Sequence, residues 1–372
     1  MEIRKQSLDC NFEQWCILVR DRRWSLRQKH RLLEHFKTPD DIRSAPVQEV
    51  LACLKSKPLS RSDQFSNESI KADLSWLDQD EHHLIHIDDV RYPQALKQLP
   101  DAPIALFAKG DVSLLNNPQV AIVGSRRPTP VGVKVADEIA GQLAGAGICV
   151  TSGMALGIDG IAHVGALNAG GASTAVLGSG LDLVTPIRHQ KLFERLSRCG
   201  LIISEYPLGY PASRYTFPER NRIVSGLSLG VIIVEAAQRS GTLITARLAT
   251  EQNRELMVVP GSAMSAQYAG SHALIQQGAA LVCNAQDVLH CLADQLGHWC
   301  QVAEAQQVAT PKESLSHEEQ SLLGVIGGES TRVDDIIFAS GLTAAKVSSM
   351  LITLEVKGVV AACGDGGYIN LS

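Results

Sequence analysis

The sequence has no Cys-X-X-Cys pair and no apolar run near the roughly 18 residues that a membrane helix requires. Its nine cysteines stand scattered at positions 10, 16, 53, 149, 199, 283, 291, 300 and 363. That scatter excludes the usual zinc spacings and a thioredoxin-like motif. Residues 1–15 hold no apolar stretch of the secretory kind, so a cytoplasmic protein with reduced thiols is expected, several of them filling cores. The best apolar candidate, Gly226 to Ala237, is too short for a membrane span and reads as a buried strand with its approach. A Walker A sequence, HExxH and a complete GxGxxG after a strand are all missing, since Gly178-Ser179-Gly180 lacks the third glycine. No cofactor, metal or catalytic residue is therefore expected. Basic charge is also in short supply: 34 Lys and Arg face 39 Asp and Glu, a net charge of −5. The imbalance is uneven. Residues 120–280 carry 13 basic against 10 acidic side chains and the rest carries 21 against 29, so a local basic groove inside an acidic protein is allowed.

With 372 residues, 45% hydrophobic and 20% charged, the chain is globular and long enough for two or three domains. Residues 1–75 read as short helices, with Phe12, Trp15, Ile17 and Leu18, then Leu32, Leu33 and Phe36, at helical spacings and Thr38-Pro39-Asp40-Asp41 as a capping turn. Residues 76–118 read as a connector with short extended pieces around His83–Ile87, interrupted by Tyr92-Pro93 and Leu99-Pro100. Over 119–296 the pattern changes. Seven apolar runs, Gln119–Gly124, Ile148–Ser152, Ser173–Gly178, Leu201–Glu205, Gly230–Glu235, Leu256–Pro260 and Ala280–Cys283, alternate with amphipathic stretches. Runs without polar alternation belong to strands buried on both faces, and the alternation predicts an α/β domain with a doubly wound, mostly parallel sheet. Residues 297–316 have linker composition. Residues 317–372 predict helix-turn-helix plus a β-hairpin, a winged-helix pattern, with Gly341 at the turn.

In such sheets ligands bind beyond the carboxyl ends of the strands. Every strand exit here carries Gly, Ser or Thr: Gly124-Ser125-Arg126, Ser152-Gly153, Gly178-Ser179-Gly180, the stretch from Ser204 to Arg222, and Ser240-Gly241-Thr242. Several neighbouring anion sites on one edge suit an extended polyanion better than one nucleotide. The segment Phe217-Pro218-Glu219-Arg220-Asn221-Arg222 adds a ring that can stack a base, worth about 1–3 kcal/mol whatever the sequence, and arginines for phosphates. Taken singly each piece has a structural explanation: a turn, a core ring, pairing of Arg220 and Arg222 with Glu219 or Glu205, an Asp159 helix cap or a buried His163. Their convergence on one edge makes an extended polyanion with a base to stack the expected ligand, with Gly124, Ser125, Arg126, Ser152, Gly153, Phe217, Arg220, Asn221, Arg222, Ser240, Gly241 and Thr242 as the site.

Gly124-Ser125-Arg126, SGMALGIDGIAH (152–163), SEYPLG (204–209), FPERNRIVSGLS (217–228), VEAAQRSGTLITA (234–246) and VPG (259–261) closely resemble the DNA-processing protein A (DprA/Smf) family over about 160 residues. The resemblance implies an extended Rossmann-like domain between a helical SAM-like N-terminal domain and a winged-helix-like C-terminal one. It implies a cytoplasmic protein that binds and protects single-stranded DNA, loads RecA recombinase in natural transformation and dimerises through the α/β domain. The DNA pocket of the family maps to Ser125, Arg126, Gly153, Phe217, Arg220 and Asn221, with Gly241 and Thr242 nearby. Thr185, His189 and Glu219 depart from the family pattern. A rival reading is a nucleotide or nucleotide-sugar hydrolase of the lysine-decarboxylase-like fold, whose Pro-Gly-Gly signature is missing before SGTLITARLATE (240–251). A winged-helix transcription regulator is a third, disfavoured by the few basic residues near Lys346 and Lys357.

Overall fold

Runs of Val, Ile and Ala with no polar alternation can be buried only between two layers of helices, and that arrangement organises the protein. The computed structural model describes residues 12–54, 66–297, 316–327, 331–356, 359–362 and 367–370. The chain divides into two units, Met1–Trp299 and Cys300–Ser372. The first opens with helices α1 (12–20), α2 (Leu26–Phe36), α3 (Pro39–Ser44), α4 (Val47–Leu54) and α5 (Asn67–Leu77). The expected turn at Thr38 caps α3: its hydroxyl accepts from Asp41 N at 3.2 Å, with Pro39 in the first turn.

Nine strands form one sheet. They are β1 (His82–His86), β2 (Ala105–Gly110), β3 (Gln119–Val123), β4 (Cys149–Ser152), β5 (Ser173–Val176), β6 (Leu201–Ser204), β7 (Gly230–Ile233), β8 (Glu255–Val258) and β9 (Ala280–Leu281), in the order β1-β2-β6-β5-β4-β3-β7-β8-β9. Each of the seven runs read from the sequence supplies one of β3 to β9, and these pair in parallel. The helices are α6 (Gln94–Lys97), α7 (Pro130–Gly145), α8 (Ile158–Asn168), α9 (Gln190–Cys199), α10 (Thr216–Leu227), α11 (Thr242–Glu251), α12 (Ala269–Gln276) and α13 (Ala285–Cys291). One core holds Val123, Ile223, Val231 and Ala246, and another holds Ile122, Ile139, Ala162 and Ile232. Neighbouring residues of β3 and β7 thus fall into different cores, as period-two strands between two helical layers require.

Residues 76–118, expected as a connector, instead extend the sheet. β1 pairs antiparallel with β2, and β2 pairs antiparallel with β6. Leu84, Ile85, Leu106 and Phe107 are all buried, and such consecutive apolar pairs need cover on both faces. The helical residues share that cover: Trp15, Cys16, Ile70 and Trp76 pack in one core with Leu84, Phe107 and Leu177. Burial raises the Cys16 thiol and pushes Cys149 up to about 12.

The second unit contains α14 (His317–Leu323), α15 (Val333–Ser340) and α16 (Ala344–Val356), with β10 (Thr331–Arg332), β11 (Val360–Ala362) and β12 (Gly367–Asn370) in the order β10-β12-β11. Leu322, Ile336, Val347, Leu351 and Leu354 form its core. Gly341 ends α15 at φ 67°, the left-handed conformation that glycine adopts without strain. Of the hairpin turn expected at Gly364–Gly367 only Gly367, the first residue of β12, is among the described residues, and most of the expected linker lies outside them. Among the described residues no helix is long and apolar enough to cross a membrane.

His163 on α8 is 0% exposed, with Nδ1 2.7 Å from Ser173 Oγ. Burial, aided by His189 and Arg220, holds its pKa down at about 3 against the ordinary 6.5. The unfolded chain therefore binds a proton below pH 6.5 that the folded chain refuses until about pH 3, so stability falls as pH drops through that window. From pH 7 to pH 5 His163 should remove about 2 kcal/mol of unfolding free energy. Urea titrations at the two pH values check this. His163→Gln should flatten the difference, and an equally steep loss in that variant would assign it to other groups.

Candidate functional site

The order of the sheet reverses at β3, where the chain builds outward to β4, β5 and β6 on one side and later adds β7, β8 and β9 on the other. A crevice opens at such a reversal beyond the carboxyl ends of the strands. Here it is a cleft of about 640 Å³. Val123 to Arg126 after β3, Gly153 and Ala155 after β4, and Ala237 and Ser240 to Thr242 after β7 line it, together with the first turns of α10. The N-terminal ends of α8, α10 and α11 meet there through Asp159, Phe217 and Thr242, and none has a side-chain cap on its N-cap residue. Their aligned dipoles favour an anion at this spot.

Ten of the twelve site residues expected from the sequence line this cleft: Gly124, Ser125, Arg126, Gly153, Phe217, Arg220, Asn221, Ser240, Gly241 and Thr242. Arg126 is exposed, and its guanidinium carbon lies 5.6 Å from the centre of the half-buried Phe217 ring. That is a cation–π contact, and it leaves a flat apolar surface beside a charge. The hydroxyl of Ser125 accepts from Arg127 N at 3.1 Å, and that of Ser240 accepts from Thr242 N at 3.2 Å, so both shape their loops. Thr242 Oγ1 donates to Gly124 O at 3.0 Å and ties the start of α11 to the exit of β3.

Arg220 is placed differently from an open phosphate ligand. It is 3% exposed, and Nη1 donates to the carbonyls of Gly153 and Val176 while Nε is buried without a partner among the described residues. Burial lowers its pKa to about 10, against the pull of Asp159. Burial raises the Asp159 carboxyl, opposed by Arg220 and by the N–H groups of Gly153 and Ala155, which donate to Oδ2 at 3.1 and 3.3 Å.

Two expected residues lie elsewhere. Ser152 is fully buried, and its hydroxyl donates to Ile122 O at 2.6 Å, stitching β4 to β3. Arg222 is also buried, on the far side of α10. It pairs with Glu205 and, at 3.5 Å, with Asp101. Burial pulls its pKa down, but these two acids outweigh that and raise it. The segment 217–222, read as part of a loop, is helical, because Pro218 sits in the first turn, where its missing N–H has no partner to lose. Arg214 and Gln267 also line the cleft and were not singled out from the sequence. The Arg214-Tyr215 step was the available signal for the first, with the guanidinium 4.8 Å over the ring. Gln267 had none.

The departures at 189 and 219 each have a structural partner. His189 Nδ1 stands 3.0 Å from Met154 O, with the ring against Gly160. Glu219 accepts from Tyr206 OH at 2.9 Å. The remaining acids at the strand exits are similarly engaged. Asp182 accepts from Gly209 N, and Glu235 accepts from Thr129 N, Thr129 Oγ1 and Tyr268 OH. Among the described residues no three His, Cys, Asp or Glu side chains gather as metal ligands.

Comparison with known proteins places this geometry. The family model for DNA recombination-mediator protein A matches residues 83–293, and the model for the DprA winged helix domain matches residues 306–366. The chain is 42% identical over 309 residues to Protein Smf of Escherichia coli (strain K12), covering 82% of each. It is similar to the X-ray structure of DNA processing protein A from Streptococcus pneumoniae, with TM-score 0.67 and 33% identity over 75% of this chain and 97% of that one. It is also similar to a structure of DNA processing protein A from Helicobacter pylori described for its single-stranded DNA binding mode, with TM-score 0.52 and 33% identity over 57% of this chain and 97% of that one.

The loop carrying Arg126 rests on Gly157, which begins α8 at φ 82°. A Cβ there would fall against Ser125 O and 2.8 Å from Arg126 Cα. Gly157→Ala should therefore cost about 1–3 kcal/mol through backbone strain and push the Arg126 loop outward. Denaturant midpoints measure the cost, and an unchanged midpoint would mean that this packing does not hold the loop.

Proposed function

Because the chain belongs to the DNA recombination-mediator protein A family, we propose that the cleft at the β3–β7 reversal binds single-stranded DNA and performs no chemistry on it. The observation that carries this is the meeting of an exposed arginine, an accessible aromatic ring and Asn221 in one open cleft edged by three helix N-termini. Phe217 stacks a base, Arg126 and Arg214 hold flanking phosphates, and Asn221 meets a base edge. Stacking and phosphate contacts both tolerate any sequence. Arg220 acts from beneath, lending charge and fixing the rim.

Hydrolysis needs a carboxylate or nucleophile free to reach the ligand. Asp159, the one carboxylate lining the cleft among the described residues, is buried and its Oδ2 accepts from two backbone N–H groups, which supports binding over catalysis. The family resemblance extends the proposal to a cytoplasmic homodimer, joined through the α/β domain, that passes its strand to RecA.

Arg126→Ala should weaken binding of an oligo-dT strand by about 1–3 kcal/mol, through loss of a charge-assisted contact. Phe217→Ala should lose a similar amount equally on dT, dC and dA strands. Fluorescence anisotropy at several salt concentrations reads both. Wild-type affinity in the two variants would remove the cleft from the binding surface, and a change of base preference without loss of affinity would rule out stacking.

A further inference from the structure

A second cleft lies on the other side of α10, enclosed by the N-terminal helices and the loop after β6. At about 930 Å³ it is larger than the first. Its floor is fixed: Arg20 pairs with Asp73 at 2.5 and 2.6 Å and donates to Leu208 O at 2.9 Å. On one wall the Arg22 guanidinium lies 4.4 Å over the Tyr210 ring, which stacks on Tyr206 at 4.7 Å. Trp24, Arg27 and Lys29 complete that side. Arg27 is exposed and has no ion pair among the described residues. Lys29 is buried, with Nζ donating to Val19 O at 2.8 Å.

The acidic side chains of this cleft are engaged within the protein. Glu205 and Asp101 pair with Arg222, and Glu219 accepts from Tyr206 OH. Yet the Glu205–Arg222 pair is incomplete. Glu205 Oε1 and Arg222 Nη1 are both buried with no hydrogen-bond partner among the described residues, and both residues line the cleft. The Arg22–Tyr210–Tyr206 stack and the Trp24 ring, with Arg27 exposed beside them, together describe a place for a nucleotide unit.

We propose that this second cleft takes a nucleotide of the same strand that occupies the first, so that the strand crosses α10. This rests on the reading of the first cleft as the strand-binding site. α10 supplies one wall of each cleft, Phe217, Arg220 and Asn221 to the first and Glu219 and Arg222 to the second. A helix is about 10–12 Å across, so a few nucleotides span it.

The test measures affinity of the full chain for dT strands of about 5 and about 20 nucleotides, bracketing a small and a full site. In the wild type the longer strand should bind more tightly. Arg27→Gln, an exposed substitution, should leave the short strand unaffected and weaken the long one about tenfold. It should also reduce the slope of log K against log salt by about 0.7 for the lost phosphate contact. Tyr210→Ala, with its fold checked by circular dichroism, should lose the long-strand gain as well. Long-strand binding by Arg27→Gln and Tyr210→Ala equal to wild type overturns the proposal, and so does equal weakening of both lengths. Displacement of the long-strand gain by free thymidine monophosphate at matched nucleotide concentration would make the ligand a free nucleotide and also overturn it. If the wild type fails to bind the short strand, or Arg126→Ala leaves short-strand binding unchanged, the first-cleft reading fails instead.

Discussion

A buried guanidinium holds the carboxyl edge of this sheet together. Removing Arg220 from water is costly, and the cost is offset only because the Gly153 and Val176 carbonyls accept from Nη1 and Asp159 lies near enough to exert its field. Deleting one partner of a buried charged cluster typically costs about 3–5 kcal/mol, whereas an exposed pair contributes about 0–1 kcal/mol. Arg220 is thus chiefly an architectural charge: it docks the first turns of α10 onto the ends of β4 and β5. The exposed Arg126 and the ring of Phe217 take their places from that docking.

The same helix divides the edge in two. Phe217, Arg220 and Asn221 follow the i, i+3, i+4 spacing of one helical face, and Glu219 and Arg222 the i, i+3 spacing of another. Each face carries a buried arginine anchored to the sheet side, Arg220 by carbonyls and Arg222 by Glu205. Two clefts on one helix therefore replace the single continuous rim that the succession of strand exits implied. The exit of β6 turns toward the N-terminal helices, where Leu208 N donates to Asp73 and Leu208 O accepts from Arg20.

The parallel sheet was legible because burial on both faces writes an unbroken apolar run, and each of the seven runs yields a strand. The first cleft was legible for a related reason: a strand that ends in Gly, Ser or Thr at a helix start leaves room and dipole for an anion. What escaped was decided by partners far along the chain. Glu205, seventeen residues before Arg222, was one of several partners open to the arginines of this segment, and only the fold selects it. Ser152 reads as a strand-exit hydroxyl until Ile122 O is found beneath it. β1 was read only as an extended piece of a connector and β2 was missed, because short strands with histidines and flanking prolines resemble a linker until β6 offers them an edge.

Net charge gave the weakest guide to function, and the reason is geometric. Within a Debye length of about 8–10 Å a polyanion senses the local surface rather than the sum over the chain. Four acids at the strand exits are tied to backbone or side chains of the fold: Asp159 to Gly153 and Ala155, Asp182 to Gly209, Glu205 to Arg222, Glu235 to Thr129 and Tyr268. Their charge is used in holding loops, while Arg126 and Arg27 remain at the surface. A chain of net charge −5 can still carry a local cationic patch, since Arg126 and Arg214 stand exposed at the first cleft while Asp159, which also lines it, is buried.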